Sequence, residues 1–111
     1  MGDLEIDTHK DGGVVQLALT GEFDLAALPA FEDHIAAVER EAPAAIVIDL
    51  TGLRFMDSSG LRALITADDR ARKQQRRLAI VPGPPEVRRV FEITKLDSRL
   101  DLVEDASAVA G

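Results

Sequence analysis

The sequence predicts an α/β domain with one mixed β-sheet, opened by a hairpin and covered by helices on at least one face. Three observations predict it. On either side of a glycine turn, apolar and polar residues alternate with the period of two that a half-buried strand requires. Two runs, Ala45-Ile46-Val47-Ile48 and Leu78-Ala79-Ile80-Val81, are continuously apolar, as strands buried on both faces are. Around those runs apolar residues recur at helical spacing, which suits right-handed crossovers between parallel strands.

Taken in order, Leu4, Ile6 and Thr8 share one face of a first strand, and Glu5, Asp7 and His9 share the other. Asp11-Gly12-Gly13 turns the chain, because glycine accepts positive φ without steric cost. Residues 14–20 form the second strand, which Thr20-Gly21-Glu22 ends. Leu28, Phe31, Ile35 and Val38 give a first helix its apolar stripe, and Pro29 falls in the opening turn, where no N–H is needed. The two apolar runs are central parallel strands. Between them Leu61, Leu64, Ile65 and Asp68 mark a second helix. Arg70, Arg72, Lys73, Arg76 and Arg77 close that segment with the positive charge that a helix C-terminus favours. Pro82-Gly83-Pro84-Pro85 breaks the chain, Val87, Val90 and Phe91 mark a short third helix, and residues 100–103 return as a last strand. The reading is one domain over residues 1–111, with 104–111 expected to fray.

Composition narrows the function. A chain of 111 residues has room for a single core. Without cysteine there is no disulfide framework or thiolate zinc site, and His9 and His34 alone supply a histidine metal site poorly. Thirteen basic against twenty acidic side chains leave a net charge of −7, which opposes the counterion release that drives nucleic-acid binding. Nucleic acid is therefore not an expected partner. No apolar run is long enough to span a bilayer, and residues 1–10 contain three acids and no apolar signal core, so the expected location is the cytoplasm, without membrane insertion.

The informative stretch runs from Asp49 to Leu61. It reads as leaving a buried strand, making a loop and entering a helix at Asp57-Ser58-Ser59-Gly60. A helix mouth presents unpaired N–H groups and partial positive charge, so a serine there either caps the helix or, once phosphorylated, has its phosphate held by those groups. Gly60 is read as leaving the approach uncrowded. The plain alternative is that Asp57 or Ser58 is only an N-cap, a role worth about 1 kcal/mol. A nucleophile elbow, G-x-S-x-G, is not formed, since Met56 stands where its first glycine belongs.

Three segments together carry a resemblance: Leu19-Thr20-Gly21-Glu22-Phe23-Asp24, then Phe55-Met56-Asp57-Ser58-Ser59-Gly60-Leu61, then Val87-Arg88-Arg89-Val90-Phe91 ahead of Leu96. Over nearly its whole length the chain resembles the bacterial anti-sigma factor antagonists, the single-domain members of the STAS family. The resemblance implies a STAS-like fold and a binding module, not an enzyme, that needs no cofactor. It implies as partner an anti-sigma factor that is also a serine kinase, whose capture frees a sigma factor. The family's phosphoacceptor maps onto Ser58, with Ser59 as its neighbour, and a serine phosphatase would restore the hydroxyl. The partner-binding residues so implied are Glu22, Asp24, Asp57, Ser59, Gly60 and Leu61. The alternative within the family is an unphosphorylated regulatory subunit of a lipid ABC transport complex; an intact Met-Asp-Ser-Ser-Gly favours the first.

Two of these residues keep two readings. Asp24 either offers a carboxylate to the partner or starts the first helix. Leu61 is either an exposed anchor or a core residue, and its spacing with Leu64 and Ile65 favours the core. The basic run from Arg70 to Arg77 follows Asp68 and Asp69 and contains no aromatic residue, so it reads as a solvated helix end and not a nucleic-acid patch. His34, Arg88 and Arg89 are assigned no role.

Overall fold

A computed structural model describes residues 3–96 and 98–109. Strands β1 (Leu4–Asp11) and β2 (Val14–Phe23) form the antiparallel hairpin, with Asp11 opposite Val14 and Leu4 opposite Gly21. Strands β3 (Ala45–Met56), β4 (Arg77–Val81) and β5 (Asp101–Leu102) then add in parallel, so the five strands lie in chain order, β1-β2-β3-β4-β5. Helices α1 (Leu28–Arg40), α2 (Ser58–Lys73) and α3 (Pro85–Ile93) make the crossovers.

All three helices cover one face of the sheet. Val15, Leu17 and Leu19 of β2, Ile46 and Ile48 of β3, and Leu78 and Ile80 of β4 point toward it. They meet Phe31 and Ile35 of α1, Leu64 and Ala67 of α2, and Val87 and Phe91 of α3 in one buried cluster. Phe23 and Phe31 pack with ring centroids 4.8 Å apart. The stripe read from the sequence at Phe31, Ile35 and Val38 is the buried face of α1, and Leu28 is only partly covered.

The other face accounts for the continuous apolar runs. Ala45, Val47, Ala79 and Val81 are buried there not by a helix but by the end of the chain, through Val109 with Val103 and Ala106. A short 3-10 turn, Ala106–Ala108, holds that end, capped by Asp105, whose carboxylate accepts from the N–H and the hydroxyl of Ser107. These bonds hold the Asp105 carboxyl below the ordinary carboxylate range. The cap is therefore in place above the usual carboxylate pKa and is lost only as pH falls through the lower folded value. The fraying expected from residue 104 thus meets a docked segment as far as Val109, and residues 110 and 111 lie outside the described ones. A short segment without periodicity carries no signal in sequence of the sheet face it covers.

Two strands run further than expected. β2 continues through Gly21 and Glu22 to Phe23, and β3 continues through the supposed loop to Met56. β3 carries an extra residue relative to β2 twice, since Ala18 and Thr20 pair with Asp49 and Gly52, and Gly21 and Glu22 pair with Leu53 and Phe55. These bulges turn the burial period from two to three, so that Leu50, Leu53 and Met56 all enter the core. A strand with that period does not look like one in sequence. The last strand is shorter than the four residues expected, and Leu100 drops into the core just before it.

Gly21 lies at φ +106°, and a Cβ there would stand 2.0 Å from the carbonyl oxygen of Asp3. Gly12 in the hairpin turn has φ +58° and open space around it. Gly21→Ala is expected to cost about 2–4 kcal/mol in urea unfolding, against about 1–2 kcal/mol for Gly12→Ala, and equal losses would contradict the crowding at Gly21.

Candidate functional site

The pairing of β2 with β3 ends at Phe23 opposite Met56, so the next residues, Asp24 and Asp57, leave neighbouring parallel strands side by side. Each has extended backbone and caps the helical turn after it. The Asp24 carboxylate accepts from the N–H of Ala27 at 3.2 Å and starts a 3-10 turn, Leu25–Ala27, that leads into α1. The Asp57 carboxylate accepts from the N–H groups of Ser59 and Gly60 at 2.9 and 3.2 Å and starts α2. The Asp57 N–H donates back to the carbonyl of Phe23 at 3.3 Å, which ties the two exits together. This is the carboxyl edge of a parallel sheet, where α/β proteins place their binding sites.

Because Asp57 is the cap, the Ser58 hydroxyl is not needed for capping. Ser58 is the first residue of α2 and is exposed, whereas Ser59 is half-buried. Gly60 is buried, and the reading that it keeps the approach open is corrected: a Cβ there would lie 2.6 Å from the Phe23 carbonyl oxygen and 3.0 Å from Met56 Cγ. Its small size lets α2 sit against the ends of β2 and β3. Leu61 is 7% exposed and belongs to the core, so of its two readings the packing one describes its place. Glu22, expected where the second strand has ended, lies within β2, half-buried and opposite Phe55. Asp24 takes the capping role that was one of its two readings.

A groove of about 290 Å³ opens at this edge between α1 and α2, lined by Leu25, Leu28, Glu32, Ser58, Ser59, Arg62, Ala63 and Thr66. Leu25, 67% exposed, and Phe55, 49% exposed, are among the few large apolar side chains that face solvent. Sequence reasoning missed both. Leu25 lies three residues before Leu28 and looks like a further turn of the buried stripe, and Phe55 is turned outward only by the second bulge of β3. A larger hollow of about 430 Å³ lies by the other face of the sheet, with Val47, Gln16, His9 and Ser107 in its walls, and includes none of the residues at the helix mouth. Several cations elsewhere are paired within the chain: Arg70 with Glu39, Arg72 with Asp68 and Arg77 with Asp101, while Arg76 donates to the Pro43 carbonyl. The four arginines of the basic run are thus engaged by carboxylates and a carbonyl within the chain. The Asp101 carboxylate raises the Arg77 guanidinium above its ordinary value. His34 meets the Thr8 hydroxyl and links α1 to β1.

The STAS domain model matches residues 5–108. The chain belongs to the STAS domain family. The anti-sigma-F factor antagonist RsfB of Mycobacterium tuberculosis is 32% identical over 99 residues, covering 89% of this STAS chain and 80% of RsfB. The crystal structure of an anti-sigma factor antagonist from Mycobacterium paratuberculosis superposes with a TM-score of 0.87 at 29% identity, over 96% of this chain and 90% of that one. The anti-sigma factor antagonist SpoIIAA in its unphosphorylated form has the same fold, with a TM-score of 0.78 at 23% identity over 94% and 92% of the two chains. The five-stranded mixed sheet with its three helices is thus the STAS fold expected from the motifs.

Capping and charge at Asp57 are separable. Asp57→Asn keeps a good N-cap and is expected to leave stability within about 0.5 kcal/mol, whereas Asp57→Ala loses about 1 kcal/mol in chemical denaturation. Gly60→Ala, which must displace Phe23 or Met56, is expected to cost about 1–3 kcal/mol. A Gly60→Ala protein as stable as the parent would contradict the close seat of α2.

Proposed function

We propose that this STAS domain is an anti-sigma factor antagonist. It binds an anti-sigma factor through the carboxyl edge of the sheet at the start of α2, and phosphorylation of Ser58 switches that binding off. The observation that carries the reading is an exposed serine at the first position of a helix whose cap is already supplied by Asp57. The names of its antagonist relatives support the role. The surroundings suit a docking face: two exposed apolar side chains, Leu25 and Phe55, provide area to bury, and the carboxylates of Glu22, Asp24 and Asp57 provide polar partners for arginine or lysine. Gly60 and Leu61 act from beneath, by fixing the seat of α2. The cytoplasm is the compartment for such a role.

The partner is an anti-sigma factor with serine kinase activity. In the transfer, the Ser58 hydroxyl oxygen bonds to the γ-phosphorus of ATP as the bond from that phosphorus to the bridging oxygen breaks. ADP leaves, and the hydroxyl proton passes to a base on the kinase. A serine phosphatase returns the hydroxyl by hydrolysis. The phosphate adds about −1.5 to −2 charges beside the charge of Asp57, at a surface that loses water when the partner docks. The N–H groups at the start of α2 meet part of that charge within the free chain, so the phosphorylated domain stays folded. An unfavourable interface charge of this size costs about 3–4 kcal/mol of binding.

The test incubates the chain with its cognate anti-sigma kinase and ATP. The expected outcome is incorporation of one phosphate, abolished by Ser58→Ala and retained by Ser59→Ala, with both variants still captured by the partner. Undiminished labelling of Ser58→Ala would overturn the assignment.

A further inference from the structure

Arg62 follows Ser58 by four residues, and both line the groove between α1 and α2. On a helix that spacing places two side chains on one face, and a long side chain leans toward the helix N-terminus, so Arg62 reaches over the turn that carries Ser58. Arg62 is exposed, and among the described residues it takes part in none of the ion pairs that engage Arg70, Arg72, Arg77 and Arg99. It is the one cation among the residues that line the groove. Near Ser58 in the chain or the groove stand the acids Asp57 beside it, Glu22 and Asp24 at the end of the neighbouring strand, and Glu32 across the groove, while Arg54 is exposed on β3. The same helix already makes the required bridge further along, where the Asp68 carboxylate accepts from Arg72 Nε at 2.8 Å, with the acid four residues ahead of the arginine.

We propose that Arg62 is the intrachain counter-ion of phosphorylated Ser58. The phosphate takes the place along α2 that Asp68 holds toward Arg72, and the guanidinium donates to its oxygens with the geometry that phosphate and arginine share. Phosphorylation then does two things at the docking face: it adds an anion and draws the groove's cation onto it. This inference rests on the reading of Ser58 as the phosphoacceptor.

The experiment installs phosphoserine at position 58 during synthesis and follows its phosphorus resonance by NMR through a pH titration. A cation paired with the dianion holds the second phosphate pKa down, so Arg62→Gln is expected to raise it by about 0.3 of a pH unit or more. Arg54→Gln, which removes a cation from the adjacent strand, is expected to leave the titration unchanged. The Arg62 Nε–H resonance is expected to move when the phosphoserine chain is compared with the unmodified one. An unchanged titration in Arg62→Gln, or an equal rise in Arg54→Gln, overturns the pairing. Because the phosphate is built in and not transferred, failure of a kinase to modify Ser58 sinks the proposed switch and leaves this result readable on its own.

Discussion

The structure at the carboxyl edge depends on one short set of hydrogen bonds, those by which Asp57 caps α2 while its own N–H is held by the Phe23 carbonyl. The first turn of a helix has N–H groups with no partner inside the helix, and burying a helix start beside a sheet without satisfying them is costly. Asp57 meets two of them with one carboxylate. Because it does so, the next residue is relieved of that work, and Ser58 stands exposed at a point of partial positive charge. The same tether fixes where that point is, since β2 and β3 end in register at Phe23 and Met56.

Packing beneath the edge keeps the register rigid. Gly60 admits Phe23 and Met56 at a distance no other residue would allow, and Leu61 and Leu64 run on into the cluster under α2. The two bulges of β3 serve the same end by sending Leu50, Leu53 and Met56 inward while Phe55 is left outward. The residues at the helix mouth therefore divide by depth: Gly60 and Leu61 hold α2 in place, and Ser58, Leu25 and Phe55 form the surface. A change of charge on the surface layer need not disturb the lower one, as the proposed switch requires.

Much of this was legible in the sequence because each signal came from a local rule. The hairpin was marked by alternation and glycine, α1 by the spacing of Phe31, Ile35 and Val38, and β3 and β4 by apolar runs that only a doubly covered strand tolerates. The helix mouth at Asp57 was marked by the residue types that cap helices. What was not legible depended on partners distant in sequence. The extension of β3 was hidden because bulges replace a period of two by three, and those bulges exist only relative to β2. Residues 104–109 looked like a loose end because the face they cover belongs to Ala45, Val47, Ala79 and Val81, far away in sequence. Gly60 looked like an open door because its crowding comes from Phe23, a residue on another strand. Leu25 and Arg62 entered the site only once α1 and α2 were laid side by side.

If charge on one side chain at the start of α2 decides whether the docking face accepts its partner, the affinity must register it. The dissociation constant for the cognate anti-sigma factor is compared, in the same buffer, between the unmodified chain and the chain carrying phosphoserine at position 58. A cost of about 3–4 kcal/mol corresponds to a loss of affinity of roughly a hundred- to a thousandfold, with the circular dichroism of the two chains alike. Equal affinity in both forms would refute the switch at Ser58.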